Sequence, residues 1–244
     1  LLLTCPLLAE EAAKLSSSVS YYEEVLPIFQ AKCHGCHQPA KAKSDYSMTD
    51  VASLLAGGES ETAILPGNSK ESYLMELIAT QDGDERPEMP PKDEPLTENE
   101  VELVRKWIDQ GALDDTPENA KKRFTQENPP KYSVPPVITS LDYSPDGRHL
   151  AMAGFHEVLV HHADGSGLVS RLVGLSERIE TVAFSPDGKQ LAVAGGLPGR
   201  MGEIQVWDLE KNELNLSKIV GFDTAYGASW SPDGKLIAFG LPDN

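Results

Sequence analysis

The run Cys33-His34-Gly35-Cys36-His37 decides how the first half of this 244-residue chain is to be read. Two cysteines three positions apart, with histidine directly after the second, form the attachment pattern of a c-type haem. The spacing has a geometric basis. On a single helical turn Cys33 and Cys36 share a face, so their sulfurs can form thioethers with the two vinyl groups of one porphyrin. His37 follows at once, and its neutral imidazole can reach the iron as proximal ligand. His34 lies inside the loop and is read as a spacer. One covalent haem c is the cofactor these residues imply.

Other uses of the same residues fit less well. The chain has only three cysteines, so a chance match of this pattern is disfavoured. A Cys-x-x-Cys redox pair does not call for the trailing histidine, and no thioredoxin-like βαβ pattern surrounds it. Structural zinc needs two further ligands nearby, yet the next histidine is His149 and no cysteine follows Cys36.

Helical signals flank the motif. Val25, Leu26, Ile28 and Phe29 give Tyr21 to Lys32 a helix-like apolar pattern, which Pro27 should kink or restart. Met48 to Leu55 is a short helical stretch ended by Gly57-Gly58. After the Pro66-Gly67 turn, Ser69 is placed to cap a helix carrying Tyr73, Leu74, Leu77 and Ile78. Residues 81–95 are charged and proline-rich and read as a loop. Thr97 and Glu100 then form a capping box, and the helix behind it aligns Val101, Val104, Trp107 and Ile108 before stopping at Gly111. So small a unit has a modest core, which a porphyrin would help to fill.

The sixth iron ligand follows by elimination. Residues 38–148 hold no histidine, leaving Met48, Met75 and Met89. Met75 lies in an amphipathic run, where methionine fills core gaps. Met48, eleven residues past His37, is too near to cross to the opposite haem face. Met89 stands in Pro87-Glu88-Met89-Pro90-Pro91, and Pro90 biases it towards an extended conformation that can hold one thioether rigidly. Met89 is therefore the expected distal ligand.

Taken together, Val25-Leu26-Pro27-Ile28, the Cys33–His37 motif, Gly57-Gly58, Pro66-Gly67-Asn68, Ser72-Tyr73-Leu74, Met89-Pro90-Pro91 and Trp107-Ile108-Asp109-Gln110-Gly111-Ala112 resemble the planctomycete-type cytochrome c domain over residues 20–115. The resemblance implies an all-α, class I-like cytochrome c fold, with Cys33 and Cys36 as attachments, His37 proximal and Met89 distal. It also implies a redox or haem-binding role. Many members have glycine after the haem histidine; here it is Gln38.

The second half is marked by repetition. Ser144-Pro145-Asp146-Gly147, Ser185-Pro186-Asp187-Gly188 and Ser231-Pro232-Asp233-Gly234 recur at intervals of 41 and 46. Each sits between strand-like runs such as Thr181–Phe184 and Gln190–Ala194, and Pro-Asp-Gly suits a tight hairpin turn. Periods near forty indicate propeller blades. With Trp207-Asp208 supplying the WD dipeptide, this half resembles a WD-repeat β-propeller of about two and a half blades. Residues 197–202 account for the longer second interval as a hairpin-tip insertion. His161-His162 aligns with Trp207-Asp208, and adjacent strand residues point to opposite faces, so the pair is structural rather than chelating. Propellers close with more blades than this, which suggests a piece of a longer protein.

The expected organisation is a signal-peptide tail and extension over 1–19, a haem domain over 20–115, a linker over 116–136 and the partial propeller over 137–244. Residues 1–9, Leu-Leu-Leu-Thr-Cys-Pro-Leu-Leu-Ala, read as the end of a secretory h-region. Export to the periplasm or cell envelope is expected, since c-type attachment belongs outside the cytoplasm. Cys5 reads as a signal residue; membrane association would follow only if it were lipidated, and Thr4 fits a lipobox poorly.

A net charge of −17 argues strongly against nucleic acid as a partner, because a phosphate backbone would be repelled. Residues 1–130 carry 24 acids and 12 bases, consistent with a solvated acidic surface or a cationic redox partner. No nucleophile, phosphate loop or carboxylate pair appears in a catalytic context. The expectation is an exported monohaem electron-transfer module, not an enzyme, passing electrons to a redox protein. Two alternatives are a haem-based ligand or redox sensor with a labile Met89 bond, and a propeller that binds a protein partner with the haem as accessory.

Overall fold

The computed structural model describes residues 18–59, 62–121 and 124–242. The expected signal segment and Cys5 lie outside them. Contacts divide the chain into two compact units, residues 18–33 with 48–121, and residues 34–47 with 124–242. The first is helical and the second rich in antiparallel sheet, so the chain is multidomain.

In the helical unit, Ser20 caps a π-helical turn over Tyr21–Val25, accepting from the Glu23 amide at 3.0 Å. This runs into helix α1, Leu26–Lys32, with Pro27 in its first turn. Proline has no N–H to donate. The ladder accordingly widens just ahead of it, where Leu26 N–H reaches the Tyr21 carbonyl five residues back. Helix α2, Val51–Ala56, begins at an Asp50 cap rather than at Met48, because the Asp50 carboxylate takes the Ser53 amide at 2.9 Å.

The expected Ser69 cap is displaced by one residue. Asn68 accepts from Glu71 N and starts a 3-10 turn over Ser69–Glu71, which leads into α3, Tyr73–Ile78. Helix α4, Glu98–Asp109, carries the expected capping box, with Thr97 N–H on Glu100 Oε2 at 2.7 Å and Glu100 N–H on Thr97 Oγ1 at 3.3 Å.

Trp107 organises the packing of this unit. It is 1 % exposed, lies 5.3 Å from the Tyr21 ring and 6.3 Å from that of Phe29, and donates Nε1–H to the Leu113 carbonyl at 3.0 Å. Met75 is buried on α3, as a core-filling methionine should be, and Met48 is buried too.

Among its described residues the sheet-rich unit contains four sheets. A short hairpin pairs β1, His37–Gln38, with β2, Lys41–Ala42. Two four-stranded meanders follow: β3 (Leu141–Tyr143), β4 (His149–Ala153), β5 (Val158–His162) and β6 (Leu168–Leu172), then β7 (Arg178–Phe184), β8 (Gln190–Leu197), β9 (Met201–Asp208) and β10 (Glu213–Gly221). Strands β11, Tyr226–Trp230, and β12, Ile237–Gly240, form the last sheet. None of the four sheets closes on itself.

Each Ser-Pro-Asp-Gly segment joins the first two strands of its sheet, and all three are built alike. In the second, Ser185 Oγ donates to Asp187 at 2.6 Å, Asp187 accepts from Lys189 N at 3.1 Å, and Ser185 Oγ accepts from Gln190 N at 2.9 Å. The first and third repeat this set around Asp146 and Asp233. Gly147, Gly188 and Gly234 stand at φ +70°, +71° and +69°, a region in which a Cβ is strained. These bonds hold the three aspartates below the usual carboxylate range. The insertion over 197–202 lengthens β8 and β9 to eight residues each, where β4 and β5 have five.

Two substitutions separate surface from core in the helical unit. Thr97→Ala should destabilise it by about 1 kcal/mol, the usual cost of a lost cap. Trp107→Ala should cost about 3–5 kcal/mol. Denaturant melts followed by helical circular dichroism check the ranking.

Candidate haem-attachment site

The division into units falls inside the motif. Cys33 ends the first segment of the helical unit, and Cys36 and His37 belong to the 34–47 segment of the sheet-rich unit. Cys33 is the C-cap of α1, its amide still bonded to the Phe29 carbonyl at 2.8 Å. Residues 33–36 form a turn rather than the expected helical turn, since the helix ends at Lys32 and β1 begins at His37. Both cysteines are half-exposed and outside any disulfide.

The loop after the turn closes on itself. Lys43 N–H bonds the Cys36 carbonyl at 3.0 Å, and Gln38 Nε2 donates to the His34 carbonyl at 2.8 Å. Gln38 and His34 are buried, at 0 % and 1 % exposure. His34, a spacer by its position in the motif, lies inside the fold.

His37 is the informative side chain. Its Nδ1 lies 3.1 Å from the Tyr46 carbonyl, and the Tyr46 ring meets the imidazole edge-on at 5.8 Å. A carbonyl only accepts, so Nδ1 carries the proton and Nε2 keeps its lone pair, the tautomer a metal-binding imidazole needs. Burial lowers the His37 pKa, with the Lys43 charge acting the same way, against the pull of the Tyr46 and Lys43 carbonyls. The ring is therefore held neutral. Tyr46 was invisible to motif reading because it acts through its main chain, which carries no residue signature.

In the helical unit, Met89 sits half-buried in the expected non-helical loop, with its amide on the Leu77 carbonyl at 2.9 Å. Arg86 braces that loop through the Pro90 carbonyl at 2.7 Å and the Asp93 carbonyl at 3.1 Å. The motif's residues suit haem c: Cys33 and Cys36 lie outside any disulfide, and His37 offers a neutral imidazole with a lone pair.

Elsewhere in the sheet-rich unit, His161 and His162 bond across β4 as strand residues, and the His162 ring lies 5.8 Å from that of His149. Among the described residues no group of three or more His, Cys, Asp or Glu side chains could hold a metal ion. A cleft of about 560 Å³ opens between Phe124, Tyr132, Phe155, His156 and Arg178. Two of its polar groups are engaged: the Tyr132 hydroxyl donates to the Phe155 carbonyl, and Arg178 pairs with Glu180 at 3.3 Å.

Glu203 on β9 is a second group that sequence reading missed, because burial of a carboxylate leaves no local pattern. It is 0 % exposed and accepts from Ser176 Oγ at 2.6 Å, Gln205 Nε2 at 2.7 Å and Ser217 Oγ. Gln205 in turn accepts from Trp207 Nε1 at 2.7 Å. Burial pushes the Glu203 carboxyl up, against these bonds.

Residues 33–93 match the family model described as Planctomycete cytochrome C. The N-terminal region is thus cytochrome-like, over a span narrower than the 20–115 that carries the resembling motifs. No curated protein matches the chain.

Lowered protonation of His37 has a directional consequence. In the chain without haem, nuclear magnetic resonance titration of His37 should give a midpoint below 6.5. Its stabilising contribution is present above the unfolded value and lost as pH falls through the folded one. A midpoint at or above 6.5 would contradict the burial that disfavours the protonated ring.

Proposed function

We propose that this chain carries an exported monohaem c-type cytochrome module that transfers electrons, joined to part of a WD-repeat β-propeller. The observation that carries the haem reading is the hydrogen bond from His37 Nδ1–H to Tyr46, next to the Cys33–Cys36 pair, within a cytochrome-like domain. Cys33 and Cys36 are the thioether attachments, His37 Nε2 is the proximal ligand and Met89 Sδ the distal one. Haem c, when bound, supplies one-electron chemistry at its iron.

The residues around it set that chemistry. Tyr46 fixes the imidazole tautomer and ring direction, raising the basicity of Nε2. A thioether opposite histidine favours the reduced state more than a second histidine does. Burial of His34 and Gln38 keeps water from the base of the loop. This role is electron exchange with a redox protein rather than catalysis.

The propeller reading is supported by three alike-bonded turns, by two four-stranded antiparallel meanders, and by Trp207-Asp208 at the end of β9, where a WD dipeptide belongs. Export is supported by the attachment chemistry and by the apolar residues 1–9. Among the described residues no helix is long and apolar enough to cross a membrane.

Expression with a haem-attachment system should yield a chain whose haem survives denaturing electrophoresis, and Cys33→Ser with Cys36→Ser should abolish it. Met89→Ala should retain the haem, lower the reduction potential and admit carbon monoxide to the ferrous iron. Ready carbon monoxide binding by the unaltered chain would displace electron transfer in favour of ligand sensing.

A further inference from the structure

We propose that strand β10 is the seat of the segment bearing Cys36 and His37, so that the sheet-rich unit positions part of the haem site and helps set its potential. The inference rests on the haem reading above and concerns contacts within one unit.

Among the described residues strand β10 is the outer strand of its sheet, and an edge strand is open to other segments along one side. Two of its main-chain carbonyls meet the loop. Lys41, on β2, donates Nζ–H to the Asn215 carbonyl at 2.6 Å. A Cβ built on Gly35 would stand 2.7 Å from the Ser217 carbonyl oxygen, so only glycine lets the two backbones approach this closely. Asn215 lies at the irregularity where the register of β10 against β9 shifts between Leu214 and Leu216. Such a bulge re-aims the main chain locally.

The seat is also braced from behind. Ser217 gives its hydroxyl to Glu203, so this part of β10 is tied to the buried network that includes Gln205 and Trp207. Ala40, at the tip of the β1–β2 hairpin, packs on the apolar cluster containing Trp207 and Leu214. Gly35 and Lys41 therefore grip β10 on either side of His37, whose ring is set by Tyr46 in the same loop. Loosening the grip would admit water to the ligand side of the iron. Solvent favours the ferric state, which carries one more positive charge, so the potential should fall.

The test uses the full chain with its haem. Gly35→Ala and Lys41→Ala should both keep covalent haem, because neither alters a ligand. Redox titration should show the reduced-to-oxidised ratio at fixed ambient potential falling severalfold, more for Gly35→Ala, and Lys41→Arg should restore it. Amide hydrogen exchange over residues 36–43 should quicken in parallel. Unchanged potential and exchange in both alanine variants would overturn the proposal, and Lys41→Ala decides alone if Gly35→Ala fails to fold. Absence of haem from the unaltered chain would defeat the cytochrome reading instead. Exchange in that unloaded chain still tests the seat: faster exchange in the variants upholds it and unchanged exchange overturns it.

Discussion

The hydrogen bond from His37 Nδ1 to the Tyr46 carbonyl is the constraint around which the attachment loop is arranged. A free imidazole can carry its proton on either nitrogen and rotate about two bonds. Bonded to a main-chain acceptor nine residues on, it has one tautomer and one direction. For that acceptor to be in place the chain must return, which the β1–β2 hairpin and the Lys43 to Cys36 bond achieve. The hairpin in turn places Lys41 and Gly35 against β10. Local ring geometry thus draws on a strand whose bond to the loop spans 174 residues of sequence.

Much of this could be read from residue order. The capping box at Thr97–Glu100 and the three hairpin turns depend on neighbours within six residues, and the face carrying Val104, Trp107 and Ile108 follows from helical spacing alone. Short-range chemistry of that kind leaves a pattern. The three turns were the plainest, because each needs serine, aspartate and a left-handed glycine at fixed offsets, and little else satisfies all three demands.

What stayed hidden was set by partners distant in sequence or by main-chain atoms. The turn over residues 33–36 replaced a helical one because β1 begins directly after it, and strand pairing of two residues has no detectable periodicity. Asn68 took the capping role expected of Ser69, while the Ser69 amide was claimed by Asp109, forty residues on. Glu203 looks like any strand glutamate until Ser176 and Ser217 are brought to it. Tyr46 offers only its carbonyl to His37, and every residue has one of those.

The three Ser-Pro-Asp-Gly turns have a kinetic corollary. Every bond that closes them lies within a span of six residues, so the entropic penalty of bringing two strands together is small and is met before any distant contact forms. Chains whose contacts are local in sequence fold faster than those built from remote pairings. Each hairpin therefore closes at little entropic cost, whatever its neighbours have yet to do. A unit closed so locally can be copied in tandem with little disturbance to the copies beside it, which is how a repeating architecture lengthens without a new folding problem at each addition.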